Sequence, residues 1–266
     1  KRGFFRFYHY MSFRGNQERK SRFKNGFPAN INIFLSASII PFILVCSNLR
    51  GRIVLKEPQF KLIETMLCMS GDDFPLMESH MSRLRASASA LGFALDERAA
   101  RAGVAAAAGY SSPGAPLKVR LLLSSDGALD ITAEPVELEP PASPRHVSFS
   151  ADAADSADPL LRHKTTRREF YDSRLAEARA RGLYDILFLN ERGEATEGAW
   201  NNIVAEIDGA LFTPPVSCGL LPGVFRQNLL ERGLAEERIL SARDIKNASA
   251  LYCCNAVRGL VEVKTL

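Results

Sequence analysis

The sequence predicts a mixed α/β (α+β) enzyme fold in two lobes, a small N-terminal one and a larger C-terminal one. Three observations carry this expectation. From about residue 58 onward, segments with apolar residues every three to four positions alternate with short apolar runs, the signatures of half-buried helices and of strands. Two Pro-containing stretches around 135–144 divide those segments into two groups, as a crossing between lobes would. The chain is 266 residues long, 46% apolar and 24% charged, enough to bury a substantial core. The expected divisions are an extension over 1–57, a small lobe over 58–138 and a large lobe over 139–266.

The first 56 residues stand apart. They hold eleven Lys or Arg and one acid, Glu18, a local net of +10; the whole chain is +4, so the remainder carries −6. The enzyme-like part is therefore acidic, which argues against nucleic-acid binding. The apolar run INIFLSASIIPFILV is shorter than the roughly 20 residues a spanning helix needs, and Pro41 interrupts it. A targeting segment, a disordered extension and translated sequence that is not native all remain open, the last two ahead of membrane anchoring. A cytoplasmic protein without a membrane span is expected.

From Pro58 the pattern changes. FKLIETMLCM, the turn SGDD and then FPL read as a hairpin. Met77, Met81, Leu84, Ala88 and Leu91 recur at helical spacing between Pro75 and Gly92. An alanine-rich helix follows near 97–108, then the strand LKVRLLL (117–123). Beyond the crossing, Asp172 is placed to cap a helix running to Gly182. YDILFLN reads as a strand, NERGE as a turn, and NIVAEI–DG–ALFT as a hairpin on Asp208-Gly209. Pro222 or Gly223 opens a further helix that closes near Gly233, and LYCCNAV is the last buried strand. The five cysteines form no C-x-x-C and the four histidines lack ligand spacing, so no disulfide framework or metal site is expected.

The segment TEGAWNNIVAEIDGALFTPPVSCGLLPGVFR (196–226) carries the chemistry. Glu197, Ala199, Asn202, Ile203, Leu211, Thr213, Leu221, Gly223, Val224 and Arg226 match, with its gaps, the motif of the class IV aminotransferase-like enzymes, and the chain resembles that family. Val204 departs from the pattern, which usually has an aromatic there. RHKTTRREFYD resembles the family's Schiff-base segment, with Lys164 lying 33 residues before Glu197. SHMSRLRASA resembles its His-x-x-Arg-Leu segment. In style the chain is most similar to 4-amino-4-deoxychorismate lyases, as in the C-terminal half of fused para-aminobenzoate synthases. Residues 1–57 do not match the extra strand and loop of free-standing relatives.

The resemblance implies a two-lobed D-amino-acid-aminotransferase-like fold (fold type IV), pyridoxal 5'-phosphate as cofactor and a homodimer. A functional link to a para-aminobenzoate synthase component is also implied. It makes Lys164 the residue that bears the cofactor and transfers the proton, Glu197 the partner of the pyridine nitrogen, and Arg83 a ligand of the phosphate. Gly223, Val224 and Phe225 form a loop opening a helix, whose free N–H groups suit a phosphate. Asn255 and Ala256 border phosphate or substrate. Arg120, Arg258, Tyr171 and Thr65 are candidates for substrate contact. Each has an ordinary alternative: a lysine in a basic run and an arginine on an amphipathic helix are usually solvated, and a Pro-Gly helix start is common. The implied reaction is conversion of 4-amino-4-deoxychorismate to para-aminobenzoate and pyruvate. Transamination of D-amino or branched-chain amino acids is the rival, because fold and cofactor do not fix the reaction; a non-catalytic remnant is the third reading.

Overall fold

The computed structural model describes the backbone of residues 45–47 and 53–55, together with residues 60–71, 73–109, 115–138 and 145–266. The chain divides into two units, Lys1–Gln59 and Phe60–Leu266. In the first, β1 (Val45–Ser47) and β2 (Ile53–Leu55) pair antiparallel. The other expectations for 1–57 fall outside the described residues. Among the described residues no helix is long and apolar enough to cross a membrane.

The second unit begins with an antiparallel sheet of three strands in the order β3-β4-β5: β3 (Leu62–Cys68), β4 (Leu117–Leu123) and β5 (Leu129–Pro135). Alternation does the sorting. Leu117, Val119, Leu121 and Leu123 of β4 point into a core with Leu62, Met66, Met81 and Leu84, while Lys118 and Arg120 lie on the other face. Two helices cover the apolar face, α1 (Met77–Leu91) and α2 (Glu97–Gly109). Gly92 ends α1 in the left-handed region at φ 73°, its N–H donating to Ala88 O, which a side chain at Cβ would resist.

The expected hairpin over 60–76 does not form. FPL lies in the turns that lead into α1, and β3 pairs instead with β4. Pro75 has no N–H to give a ladder, whereas LKVRLLL offers seven partners in register. The strand β5 carries no clear apolar run and had no counterpart in the sequence reading.

The larger sheet has eight strands in the order β11-β10-β9-β12-β13-β6-β7-β8. They are β6 (Arg145–Phe149), β7 (Asp185–Leu189), β8 (Ala195–Gly198), β9 (Asn202–Ile207), β10 (Ala210–Thr213), β11 (Glu236–Glu237), β12 (Ala250–Asn255) and β13 (Gly259–Thr265). The β6 strand runs parallel to both β13 and β7, while β9, β12 and β13 are antiparallel neighbours. Both faces are covered. Leu187 joins Ile203, Cys253 and Val261 on one side, and Ile186 and Phe188 join Leu175 and Ala178 of α3 (Glu169–Ala180) on the other. Cys253 and Cys254 accordingly face opposite ways and are both buried, free thiols.

The β9–β10 hairpin turns on Asp208 (φ 53°) and Gly209 (φ 78°), the mirror-image turn that Asp-Gly favours. Two details correct the sequence reading. Helix α3 starts at Glu169, with Asp172 inside its first turn and held by Arg168 Nε at 2.8 Å, so Asp172 is not the cap. LYCCNAV is not the last strand: β13 follows it and pairs along its length.

Candidate active site

Lys164 sits between the two sheets for a reason that its own neighbourhood does not announce. Residues 163–166 are an irregular strand laid along the start of β3. Ile63 N–H donates to Lys164 O at 2.8 Å, Thr166 N–H to Lys61 O at 2.9 Å, and Lys61 N–H to Thr166 Oγ1 at 3.0 Å. Held by its backbone, Lys164 lines a cleft of about 920 Å³. The same cleft is lined by Thr65, Arg83, Arg120, Tyr171, Glu197, Gly223, Val224, Asn255, Ala256 and Arg258. Of the residues expected to touch cofactor or substrate, Phe225 alone is not on that wall; it is buried in the core.

Glu197 comes from β8 and is 7% exposed. Its Oε1 accepts Tyr171 Oη–H at 3.1 Å and Leu221 N–H at 3.2 Å, and its Oε2 accepts Asn202 Nδ2 at 3.2 Å. Burial pushes its carboxyl up to about 8, although Leu221, Tyr171 and the nearby Lys164 charge pull the other way. Among the described residues it makes no salt bridge. Burial also pulls Lys164 down to about 8, helped by the positive charges of Arg83 and Arg168. The Tyr171 hydroxyl is raised by burial and by the carboxylate that it faces.

Arg83 lies on α1 and is clamped from behind. Its Nε and Nη2 donate to the two oxygens of Glu64 at 2.9 and 2.6 Å, and its Nη1 reaches Pro222 O at 3.3 Å. Glu64 is 1% exposed and also meets His80 Nδ1 at 2.6 Å. Burial raises the Glu64 carboxyl, but Arg83 and His80 together hold it down at about 2. The sequence offered one signal for this cluster, the i, i+3 spacing of His80 and Arg83, which puts both on one face of α1. Glu64→Ala is expected to destabilise the protein by about 3–5 kcal/mol, because it strands a buried guanidinium, and chemical denaturation would measure it. Since the native carboxyl titrates below its ordinary 4.5, the wild-type contribution is present above that pH. It is lost as pH falls from about 4.5 to about 2.

Leu221-Pro222-Gly223 leads into α4 (Val224–Glu231). Asn202 Nδ2 donates to Leu221 O at 2.9 Å, and a Cβ on Gly223 would overlap Asn202 Oδ1. The glycine is required by that close approach. Gly223 is the cap residue of α4 and, having no side chain, makes no side-chain hydrogen bond to it.

On the small sheet, Thr65 and Arg120 are direct cross-strand partners on the cleft face. Arg258 stacks over Trp200 and donates to Glu137 O at 3.2 Å. Arg168, which the sequence reading passed over, donates to Ala199 O at 2.7 Å beside Tyr171. Among the described residues no cluster of His, Cys, Asp and Glu is arranged to hold a metal.

These groups fit pyridoxal phosphate. Glu197 is a buried carboxyl that makes no salt bridge among the described residues, and a protonated ring nitrogen is a partner that would satisfy it. Lys164 is half-buried and its amine is drawn down from 10.5 to about 8, toward the neutral form that takes an aldehyde. The glycine-shaped loop, the α4 N-terminus and Arg83 together offer donors for a phosphate dianion.

Comparison with known proteins shows the family. The family described as amino-transferase class IV matches residues 61–266. A Schizosaccharomyces pombe protein named "Putative aminodeoxychorismate lyase" is 28% identical over 207 residues, covering 74% of this chain and 86% of that one. A solved structure described as a "Putative amino-acid aminotransferase" from Mesorhizobium loti is 38% identical with a TM-score of 0.74, covering 78% of this chain and 100% of that one. A "hypothetical aminotransferase from Mycobacterium tuberculosis, PLP-bound form" shares the fold at 22% identity and a TM-score of 0.67, over 77% of this chain and 81% of its own.

Proposed function

The chain belongs to the class IV aminotransferases, fold type IV enzymes that use pyridoxal phosphate, and from that premise we propose that it is a lyase converting 4-amino-4-deoxychorismate to para-aminobenzoate and pyruvate. The observation that supports this reading is the pair of arginines, Arg120 from the small sheet and Arg258 from the large one, lining the cleft that Lys164 and Glu197 also line. The substrate carries two carboxylates, and two cations from different sheets suit them. The similarity to the Schizosaccharomyces pombe protein over most of its length points the same way.

When bound, the cofactor supplies an electron-withdrawing ring that stabilises negative charge at the substrate carbon bearing nitrogen. Lys164 Nζ would hold the cofactor and, once released as a neutral amine, would remove the proton from that carbon. Glu197 would keep a proton on the ring nitrogen, and Tyr171, Asn202 and the Leu221 N–H hold its carboxyl in position. The loop at Gly223 and Val224 that opens α4 and the guanidinium of Arg83 would bind the phosphate. Asn255 and Ala256 border the bound molecule. Arg120 and Arg258 orient the carboxylates, and Thr65 adds a hydroxyl beside Arg120. The proton that Lys164 removed returns to the departing three-carbon group, which leaves as pyruvate, and aromatisation of the remaining ring drives the step. A cytoplasmic homodimer working with a para-aminobenzoate synthase component goes with this reading. So does a division into lobes near residue 138.

Transamination is the second reading, favoured by the Mesorhizobium loti structure at 38% identity over its whole length. One experiment separates the two. The purified holoenzyme is given 4-amino-4-deoxychorismate with no keto acid, and pyruvate and para-aminobenzoate are expected in equal amounts. Absence of pyruvate, together with loss of the yellow colour on adding an amino acid alone, would establish transamination instead.

A further inference from the structure

One buried acid next to the cleft has no part in the chemistry above. Asp185, the first residue of β7, is fully buried (0% exposed) and does not line the cleft. Its Oδ1 accepts the N–H groups of Ile186 at 2.8 Å and Ala199 at 2.9 Å, and its Oδ2 accepts Asn201 Nδ2 at 2.8 Å. Asn201 Oδ1 in turn accepts Asn255 Nδ2 at 2.7 Å. Asn255 Oδ1 accepts the N–H groups of Val257 at 3.0 Å and Arg258 at 2.9 Å. Asn201, Asn255, Val257 and Arg258 all line the cleft. A Cβ on Gly198 would overlap Asp185 Oδ2, so the backbone closes tightly on this carboxylate.

The direction of this series is forced from both ends. Backbone N–H groups at 257 and 258 can only donate, so Asn255 must turn its oxygen to them and its NH₂ to Asn201. Asn201 must then offer its oxygen to Asn255 and its NH₂ to residue 185. Residue 185 already meets two N–H donors with one atom, so it needs acceptors at both ends of its side chain. A carboxylate meets that demand and an amide does not. Burying a charge without a cationic partner is costly, so the hydrogen bonds must repay it. Among the described residues Asp185 makes no salt bridge.

We infer that Asp185 is a positioning residue: through Asn201 and Asn255 it sets the direction of two amides in series, fixes the turn at 255–258 and so places Arg258 for a substrate carboxylate. The relay stands on the geometry above; that the ligand is a carboxylate rests on the proposed function.

The test uses the holoenzyme and three variants, Asp185→Asn, Asp185→Asn with Asn201→Asp, and Asn255→Ala. Backbone amide exchange at Val257 and Arg258 and the affinity for 4-aminobenzoate are read in each, with cofactor absorbance as a check on loading. Asp185→Asn puts two NH₂ groups face to face. It is expected to speed exchange and weaken the ligand by about tenfold or more, the loss of roughly one good hydrogen bond. The double variant moves the carboxylate one place along and lets residue 185 donate to residue 201, so both readings should return to within about threefold of wild type. Asn255→Ala should reproduce the single variant while leaving Asp185 and Asn201 paired. Unchanged exchange at 257–258 in Asp185→Asn, or a defect that the double variant does not recover, overturns the proposal. If Asp185→Asn does not fold, unchanged exchange in Asn255→Ala overturns it equally. A wild-type enzyme that does not bind 4-aminobenzoate would count against the lyase reading, and the exchange measurements would still decide the relay.

Discussion

Replacing Lys164 with alanine is expected to lower turnover by about 10³-fold or more, at least about 4 kcal/mol of barrier. The variant loses both the attachment point and the base. The result separates from misfolding by a second measurement: borohydride treatment of loaded wild type should fix the cofactor on the peptide carrying Lys164, and treatment of the variant should fix none there. A label on another lysine, or full turnover in the variant, would remove the site assignment. The cofactor-free protein gives an independent check. Burial, with Arg83 and Arg168 nearby, takes Lys164 from its ordinary 10.5 to about 8. Between those two pH values the unfolded chain holds a proton that the native chain has lost, so stability rises with pH across that window. The alanine variant should lack that rise.

Glu197→Gln is expected to cost about 10²–10³-fold in turnover, the range found when one fixed electrostatic partner of a developing charge is removed. An amide cannot hold the ring nitrogen protonated, so the electron sink weakens while the phosphate contacts remain. Cofactor affinity should therefore change much less than turnover, which a titration of the variant would check. The stability signature has the opposite sign to that of Lys164. Burial lifts the Glu197 carboxyl from 4.5 to about 8, and between those values the native state holds the extra proton. Cofactor-free wild type should lose stability as pH rises from about 4.5 to about 8, and the glutamine variant should not. Equal turnover in wild type and variant would show that Glu197 does not act on the ring.

The two carboxylates that matter here, Glu197 and Glu64, differ in how far sequence could reach them. Glu197 sits inside a long motif with fixed gaps, and its likeness to the family named it. Glu64 sits in an unremarkable strand, and its role appears only when α1 packs on β3 and brings His80 and Arg83 over it. Helices with a strong 3.6 period and strands with seven apolar-patterned residues were legible for the same reason: their pattern answers to a single buried face. The failures lie where partners are remote. FPL looked like a returning strand until β4, some forty residues on, supplied a longer ladder. The strands β5 and β13 alternate apolar and polar residues, Leu129-Asp130-Ile131-Thr132-Ala133 and Val261-Glu262-Val263-Lys264, but over stretches too short to single out without their partner strands. The series Asp185–Asn201–Asn255 joins three polar residues from distant parts of the chain, and no local rule links them.

By itself the sequence determined the class of fold and much of the alternation of helices and strands, and through its likeness to the family it proposed the lysine and glutamate of the candidate site, because motif spacing and hydrophobic period are properties of the linear chain. The tertiary structure alone decided that Lys164 is held by pairing with β3, that Arg83 is clamped by Glu64, and that Phe225 faces the core instead of the cleft. Burial and hydrogen-bond partners depend on which segments meet in space, and these in turn set the protonation of Lys164 and Glu197.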